Sequence, residues 1–331
     1  MARPRIVIAG AGSIGCFVGG LLAHAGQDVS LLGRPAILDP LRANGLRLTD
    51  FAGLNVQASP RQLSDDPAIL AQADLILVTV KSGATAEMGR LIAQHGPMTA
   101  PVISLQNGIE NAATLTAALP GYDVRAGMVP FNVVPQDPGQ YRRTTSGEIV
   151  IEAGPGDWAS VLSSHALPIV QSDQIRAVQW GKLLLNLTNA VNALSGLPLL
   201  EMLRQRAWRQ LMADQMTEAL RVLDAARIPV RSTAPVAMSW VPLILRLPTP
   251  LYRRIAAKML TIDPQARTSM AYDLMAGRAT ELDQLQGAIL TLARQNDLPA
   301  PTVASLYRAI RSLEGQGPIS PAFTPARIRA M

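Results

Sequence analysis

The sequence is poor in the side chains that announce chemistry most directly. Cysteine occurs once in 331 residues, at Cys16, so no intramolecular disulfide can form and a reducing, cytoplasmic setting is expected. The three histidines, His24, His95 and His165, are far apart in the chain, which leaves no histidine-based metal site to expect. Aromatic residues make up 4% of the chain, the arginines are scattered and no basic run reaches five residues. Despite a net charge of +6, that is a poor footprint for nucleic acid, and a mild preference for anionic small molecules is the better reading. No uninterrupted apolar stretch reaches membrane-spanning length; the nearest, over residues 183–200, is broken by Asn186, Asn189, Asn192 and Pro198. Lysine is confined to Lys81, Lys182 and Lys258, a hint that arginine would not serve at those places.

What is present starts with the first strand. Residues 5–9 are apolar after Arg5, the run Gly10-x-Gly12-x-x-Gly15 follows at once, and residues 14–25 read as a helix. Strand, glycine turn and helix are the parts that hold a dinucleotide pyrophosphate. Gly10 permits the tight turn, Gly12 lets the backbone approach the phosphates, and Gly15 brings helix and strand together. Ser13 and Ile14 belong to the first turn, whose N–H groups lie at the positive end of the helix dipole. The same stretch also resembles a secretory signal, with basic residues, an apolar core and Ala23-His24-Ala25 at a cleavage position. The fixed glycine spacing, and a second strand directly after it over residues 27–33, favour the nucleotide turn.

NAD-binding units place a ribose-binding carboxylate after the second strand; here that neighbourhood holds Arg34 and no acid before Asp39. Arg34 suits the 2′-phosphate of NADP, its other reading being an exposed loop arginine. The sequence predicts a hairpin around residues 50–53, buried strands over 74–80 and 101–105, and further strands over 124–134 and 148–152. Residues 135–146 read as a loop or hairpin, and the sheet is expected to end near Ala153, before a helix that runs to about His165. The strand ending at Val80 delivers Lys81 to the carboxyl edge of a parallel sheet, where such sheets bind ligands. Lys81 is either a phosphate contact or a solvated lysine capping a loop. Asn107, within Gln106-Asn107-Gly108, can offer donor and acceptor to a nicotinamide or a substrate, or simply make the turn that Asn-Gly pairs favour.

Beyond Ser172 the pattern becomes helical, with one long helix predicted over residues 174–194 and four more after it. Lys182 and Asn186 share a face four residues apart, and Asn189 joins the same stripe. On so apolar a helix these three are expected to face one another, a cleft or a ligand; the alternative is a narrow solvated stripe. A second constellation holds Ser269 and Asp273 one turn apart, a break at Gly277-Arg278, and Glu281, whose carboxylate can meet Lys182 if the two helices pack side by side. The proline-rich stretch 229–265 is open to three roles: a lid, a dimer contact or packing over a cleft. The tail from Gly315 is expected to be loosely held.

Taken in order, Gly10-x-Gly12-x-x-Gly15, Val80-Lys81, Gln106-Asn107-Gly108, Lys182-x-x-x-Asn186 and Ser269-Met-x-x-Asp273-x-x-x-Gly277-Arg278-x-Thr280-Glu281-x-Asp283 resemble the ketopantoate reductase (2-dehydropantoate 2-reductase) family over nearly the whole chain. The resemblance implies reduction of 2-dehydropantoate to pantoate with NADPH, within pantothenate and coenzyme A synthesis. It implies Lys182 as the general acid that protonates the C2 carbonyl oxygen and Glu281 as the group that holds substrate or lysine. Asn107 and Asn186 would orient both, and Ser269 would meet the carboxylate end; Asn189 is also expected on the substrate, and Asn107 and Glu281 near the cofactor. Such chemistry needs a lysine, whose pKa of about 10.4 falls on desolvation, whereas arginine supplies charge but no proton.

This chain departs from the family pattern where a second asparagine often stands, at Ala190, and where Gln286 replaces a common asparagine. With the expanded stretch 229–265, these departures point to a related 2-keto acid as the alternative substrate. A third reading is a non-catalytic NADPH sensor; Lys182, Glu281 and Ser269 speak against it, because a sensor needs no proton donor. The expected architecture is α/β: a Rossmann-type doubly wound sheet binding NADPH over residues 1–172, then an all-helical substrate and catalytic domain over 173–331, with the ligands in a cleft between. The expected partners are a small keto acid and a second copy in a homodimer, with no nucleic acid and no membrane.

Overall fold

The strand over residues 5–9 forms as β1 (Arg5–Ala9), and every residue after Arg5 is buried. The computed structural model describes residues 3–232, 236–256 and 264–331, and the chain divides into two compact units, Met1–Arg176 and Ala177–Met331. The strands that follow β1 are β2 (Asp28–Leu32), β3 (Leu46–Asp50), β4 (Asn55–Ala58), β5 (Gln62–Ser64), β6 (Leu75–Val78), β7 (Val102–Ser104), β8 (Val124–Met128), β9 (Val133–Pro135), β10 (Gln140–Arg143), β11 (Ile149–Glu152) and β12 (Ile169–Ser172). Interleaved with them are α1 (Ser13–His24), α2 (Pro35–Asn44), α3 (Thr85–His95), α4 (Asn111–Ala118) and α5 (Trp158–Leu162).

Eight strands form one sheet in the order β12-β11-β8-β7-β6-β1-β2-β5, parallel except where β11 meets β8. Alternate residues of the central strands feed two separate cores. Ile6, Ile8, Leu75 and Leu77 pack with Phe17 and Leu21 of α1 on one face, and Val7, Ala9, Ile76 and Val78 pack with Ile92 and Leu115 of α3 and α4 on the other. A parallel sheet covered on both faces explains why these strands read as unbroken apolar runs. This is the doubly wound, Rossmann-type sheet expected from the glycine turn. Because β2 and β6 flank β1 on opposite sides, the winding reverses there, and ligands bind such sheets at that reversal. The apolar stretch that also resembled an export signal is thus core-forming strand and helix.

Several elements of this unit differ from expectation. Residues 35–44 form α2, started by Pro35 at its first position. The predicted hairpin exists as β3 and β4, but it belongs to a second sheet, β4-β3-β10-β9, lying against α1. The stretch 124–134 splits between the two sheets as β8 and β9, and of the loop or hairpin expected over 135–146 it is the hairpin that forms, β10 running antiparallel to β9 and also parallel to β3. The large sheet does not end near Ala153, since β12 follows α5 and pairs with β11.

The second unit is helical throughout its described residues. The predicted long helix is broken at Leu187 into α6 (Ile175–Asn186) and α7 (Thr188–Ser195). There follow α8 (Leu199–Arg204), α9 (Arg206–Ala225), α10 (Val241–Arg246), α11 (Thr249–Ala256), α12 (Ser269–Met275), a π-helical turn at Asp283–Gly287, α13 (Ala288–Gln295), α14 (Pro301–Arg311) and α15 (Pro325–Arg329). The four further helices expected are therefore too few. Within 229–265, residues 233–235 and 257–263, including Lys258, lie outside the described residues. The described part packs on α9: the buried guanidinium of Arg209 donates to the carbonyls of Leu203, Arg204, Leu245 and Leu247 and stacks over Tyr252. The tail is not loose, because Ile328 is fully buried and Phe323 N–H donates to the Leu194 carbonyl. No helix among the described residues is long and apolar enough to cross a membrane.

Candidate functional site

In the first unit the singled-out residues gather at the carboxyl edge of the sheet. Gly10 has φ +122°, and a Cβ there would lie 2.7 Å from Val80, so no other residue fits without strain. A Cβ on Gly15 would collide with the Gly10 carbonyl, which is itself held by the Thr79 hydroxyl at 2.6 Å. Gly12 is different: a Cβ there would meet nothing within 4 Å. At that open position α1 begins with no side-chain cap and no acid in its first turn. The first-turn N–H groups, at Ser13 and Ile14 among others, keep their donors and the positive end of the helix dipole for an anion. A dinucleotide pyrophosphate fits this cradle.

Arg34 stands exposed at the end of β2, where its backbone caps α2. The next acid, Asp39, is paired with Arg42 at 2.7 Å, so this strand end presents a guanidinium. Lys81 is exposed and precedes a 3-10 turn at Ser82–Ala84. A chain of side-chain bonds ties that turn to the one bearing Asn107. Gln106 donates to the Val80 carbonyl at 2.9 Å and to Thr85 Oγ1 at 2.7 Å; Thr85 donates to Asn111 Oδ1 at 2.7 Å; Asn111 donates to Ser82 Oγ and to the Asn107 carbonyl. Gly108 has φ +89°, within a bend over residues 107–110. The lone thiol is inert at neutral pH, since burial pushes Cys16 up to about 11.

In the second unit, Lys182 and Asn186 lie on α6, both partly exposed, beside the buried Leu183, Leu184 and Leu187. Burial of the ammonium pulls Lys182 down to about 8. The break at Leu187 puts Asn189 on α7 rather than on a continuous stripe. There its amide reaches Ser269 Oγ at 3.3 Å, joining residues 80 positions apart. Thr268 seals the same junction through the Asn189 carbonyl and Asn192 Oδ1. Asp273 is occupied by Arg278, 2.9 Å away across the turn at Gly277. Glu281 is partly exposed in a stretch fixed on both sides. Thr280 donates to Glu314 at 2.6 Å, Tyr307 to Asp283 at 2.7 Å, and Gln286 to the Leu187 carbonyl at 3.0 Å. The last bond brings the Glu281 stretch to the end of α6.

Two family profiles match the chain: "Ketopantoate reductase PanE/ApbA" over residues 6–156 and "Ketopantoate reductase PanE/ApbA C terminal" over residues 174–314. The chain belongs to the ketopantoate reductase family. A 2-dehydropantoate 2-reductase of Halobacterium salinarum is 28% identical over 95% of this chain and 100% of its own length. A PanE/ApbA family ketopantoate reductase from Ralstonia eutropha is similar in structure, with TM-score 0.80 and 32% identity over 94% of this chain and 99% of its own. A D-mandelate dehydrogenase solved with NADH and anilino(oxo)acetate shares the fold at TM-score 0.77 and 22% identity, over 94% and 99% of the two chains. As a ketopantoate reductase family member the protein is an oxidoreductase that works with a nicotinamide cofactor.

Family motifs did not point to every residue that shapes these sites. Thr79, Thr85 and Asn111 in the first unit, and Asn192, Gln215 and Thr268 in the second, are polar side chains that hold a turn or a helix junction in place. Their signal in the sequence is faint: Gln215, for example, is a single amide on an apolar face of α9, which reads as surface until its burial is known.

Proposed function

We propose that this protein reduces 2-dehydropantoate to pantoate with NADPH, residues 1–172 binding the cofactor and 173–331 carrying the substrate and catalytic groups. The observation that carries the reading is a family match through both units together with a desolvated lysine at the family's general-acid position. Gly10, Gly12, Ser13, Ile14 and Gly15 would cradle the pyrophosphate, Arg34 the 2′-phosphate and Lys81 a phosphate oxygen, with Asn107 and Glu281 also near the cofactor. NADPH, when bound, supplies a hydride for the C2 carbon. Lys182 gives its proton to the C2 oxygen and, while charged, stabilises the developing alkoxide. Glu281 holds the lysine or the substrate, Asn107 and Asn186 orient them, and Ser269 with Asn189 meets the carboxylate end. The setting this implies is the cytoplasm, and a homodimer is the assembly proposed for it.

A second reading keeps the mechanism and changes the keto acid. It draws on Ala190, which is fully buried where an asparagine is common, on Gln286, and on a D-mandelate dehydrogenase having this fold. Purified protein with 2-dehydropantoate should consume NADPH and form pantoate in equal amounts. Turnover on other 2-keto acids but not on this one would transfer the assignment to the second reading. Replacing Arg34 by alanine should weaken NADPH binding by about tenfold or more, in line with loss of a charge-assisted bond, and leave NADH binding nearly unchanged. Equal losses for the two cofactors in a titration would refute the 2′-phosphate role.

A further inference from the structure

Two buried amides meet at the break between α6 and α7, one of them at the position where the family commonly has asparagine. Gln215 of α9 and Gln286 of the π-helical turn are 1% and 0% exposed. Both donate through Nε2 to one acceptor, the Leu187 carbonyl, at 3.1 and 3.0 Å. In an unbroken helix that carbonyl would take the N–H four residues on; side chains that enter the ladder are a recognised cause of a helix kink. The π-helical turn, whose Gly287 N–H reaches back to the Leu282 carbonyl at 3.0 Å, carries Gln286 to Leu187, and such turns cluster at functional sites.

The arrangement is not one that stability alone would select. The Oε1 atoms of Gln215 and Gln286 are buried with no hydrogen-bond partner among the described residues. A buried amide left half satisfied carries a desolvation cost that leucine or methionine would avoid. What the two amides secure is direction: α6 bears Lys182 and Asn186 on one side of the break, and α7 bears Asn189, bonded to Ser269, on the other.

We propose that Gln215 and Gln286 are positioning residues that hold the α6–α7 break and so aim Lys182 and Asn186 relative to Asn189 and Ser269. The proposal rests on the reading of Lys182 as the proton donor. It is tested with Gln215→Leu, Gln286→Leu and the double variant. Three readouts apply: kcat and KM on the keto acid the wild type reduces, the thermal midpoint, and the pH at which Lys182 becomes reactive to acetic anhydride, resolved by mass spectrometry. With three lysines in the chain, the labelled peptide is easily identified.

The expected result is a kcat lowered by about 10–10²-fold, the scale of a small misplacement of a catalytic group. KM for NADPH should be unchanged, the thermal midpoint should be equal or higher, and the Lys182 labelling midpoint should move up from about 8. An unchanged kcat and labelling midpoint in the double variant would overturn the proposal. So would a kcat loss that comes with a fallen thermal midpoint and an unmoved labelling midpoint. If the double variant does not fold, the single variants are read by the same criteria. If the wild type reduces no keto acid, the function proposed above fails, while the labelling midpoint still decides whether the two amides position Lys182.

Discussion

Lys182→Ala should lower kcat by about 10²–10⁴-fold, the usual contribution of a positioned general acid, with little change in KM for NADPH. Lys182→Arg should fare no better than a few-fold above alanine, because a guanidinium keeps the charge but gives up no proton near neutral pH. The pH dependence follows from the same group. Burial lowers Lys182 to about 8, so the proton-bearing form is present below that pH and is lost as pH rises through it. The kcat/KM of the wild type, which follows the titration of the free enzyme, should therefore fall on the alkaline side with a midpoint near 8, and the Lys182→Ala variant should lack that limb. Steady-state kinetics across the range decide the matter, and a variant that keeps wild-type turnover removes Lys182 from the mechanism.

The largest stability effect should come from a site remote from that chemistry, Arg143→Met. Arg143 and Asp50 pair across β10 and β3 in register, 2.6 Å apart, with side chains 12% and 3% exposed. Burial alone would raise the Asp50 carboxyl, but the Arg143 bond and the Leu54 and Ala52 N–H groups outweigh it and hold it below the usual carboxylate range. Arg143 also donates to the Ala166 carbonyl at 3.0 Å and lies over the rings of Phe17 and Phe131. Removing one partner of a buried pair costs about 3–5 kcal/mol, because the other charge is left uncompensated.

The sign of the pH effect separates this from a simple packing loss. In the wild type the depressed Asp50 contributes stability above the unfolded carboxylate pKa, and that stability is lost as pH falls through the lower folded value. In Arg143→Met, burial should dominate and raise Asp50, so the destabilisation should deepen as pH rises from about 4 to about 7. Urea unfolding at several pH values measures both. A loss below about 1 kcal/mol would place the pair among ordinary surface ion pairs.

Much of this architecture was legible in the sequence, and for identifiable reasons. β1 after Arg5, β6 and β7 are buried on both faces, so they stand out as apolar runs between glycine and polar turns. The glycine positions were readable because sterics leave no substitute at Gly10 or Gly15. What failed were features set by distant partners. The hairpin of β9 and β10 is local, but the parallel pairing of β10 with β3 some ninety residues earlier is one that no local pattern records, and β12 has one buried residue in four. The break at Leu187 was invisible because its cause lies in Gln215 and Gln286. Apolar periodicity continues across it, so Lys182, Asn186 and Asn189 read as one helical stripe where there are two helices. Asn189 is a buried polar group, and its amide reaches Ser269 Oγ. The prolines and arginines of the tail read as loose chain, but Ile328 is fully buried and Phe323 N–H is bonded to the Leu194 carbonyl.

The measurement that tests the account most directly is a crystal structure of the protein with NADP⁺ and pantoate. The account predicts Lys182 Nζ within hydrogen-bond reach of the C2 oxygen, at about 2.6–3.2 Å, with the Glu281 carboxylate beside it. A complex in which pantoate binds with Lys182 turned away from C2, or does not bind at all while another 2-hydroxy acid does, would contradict it.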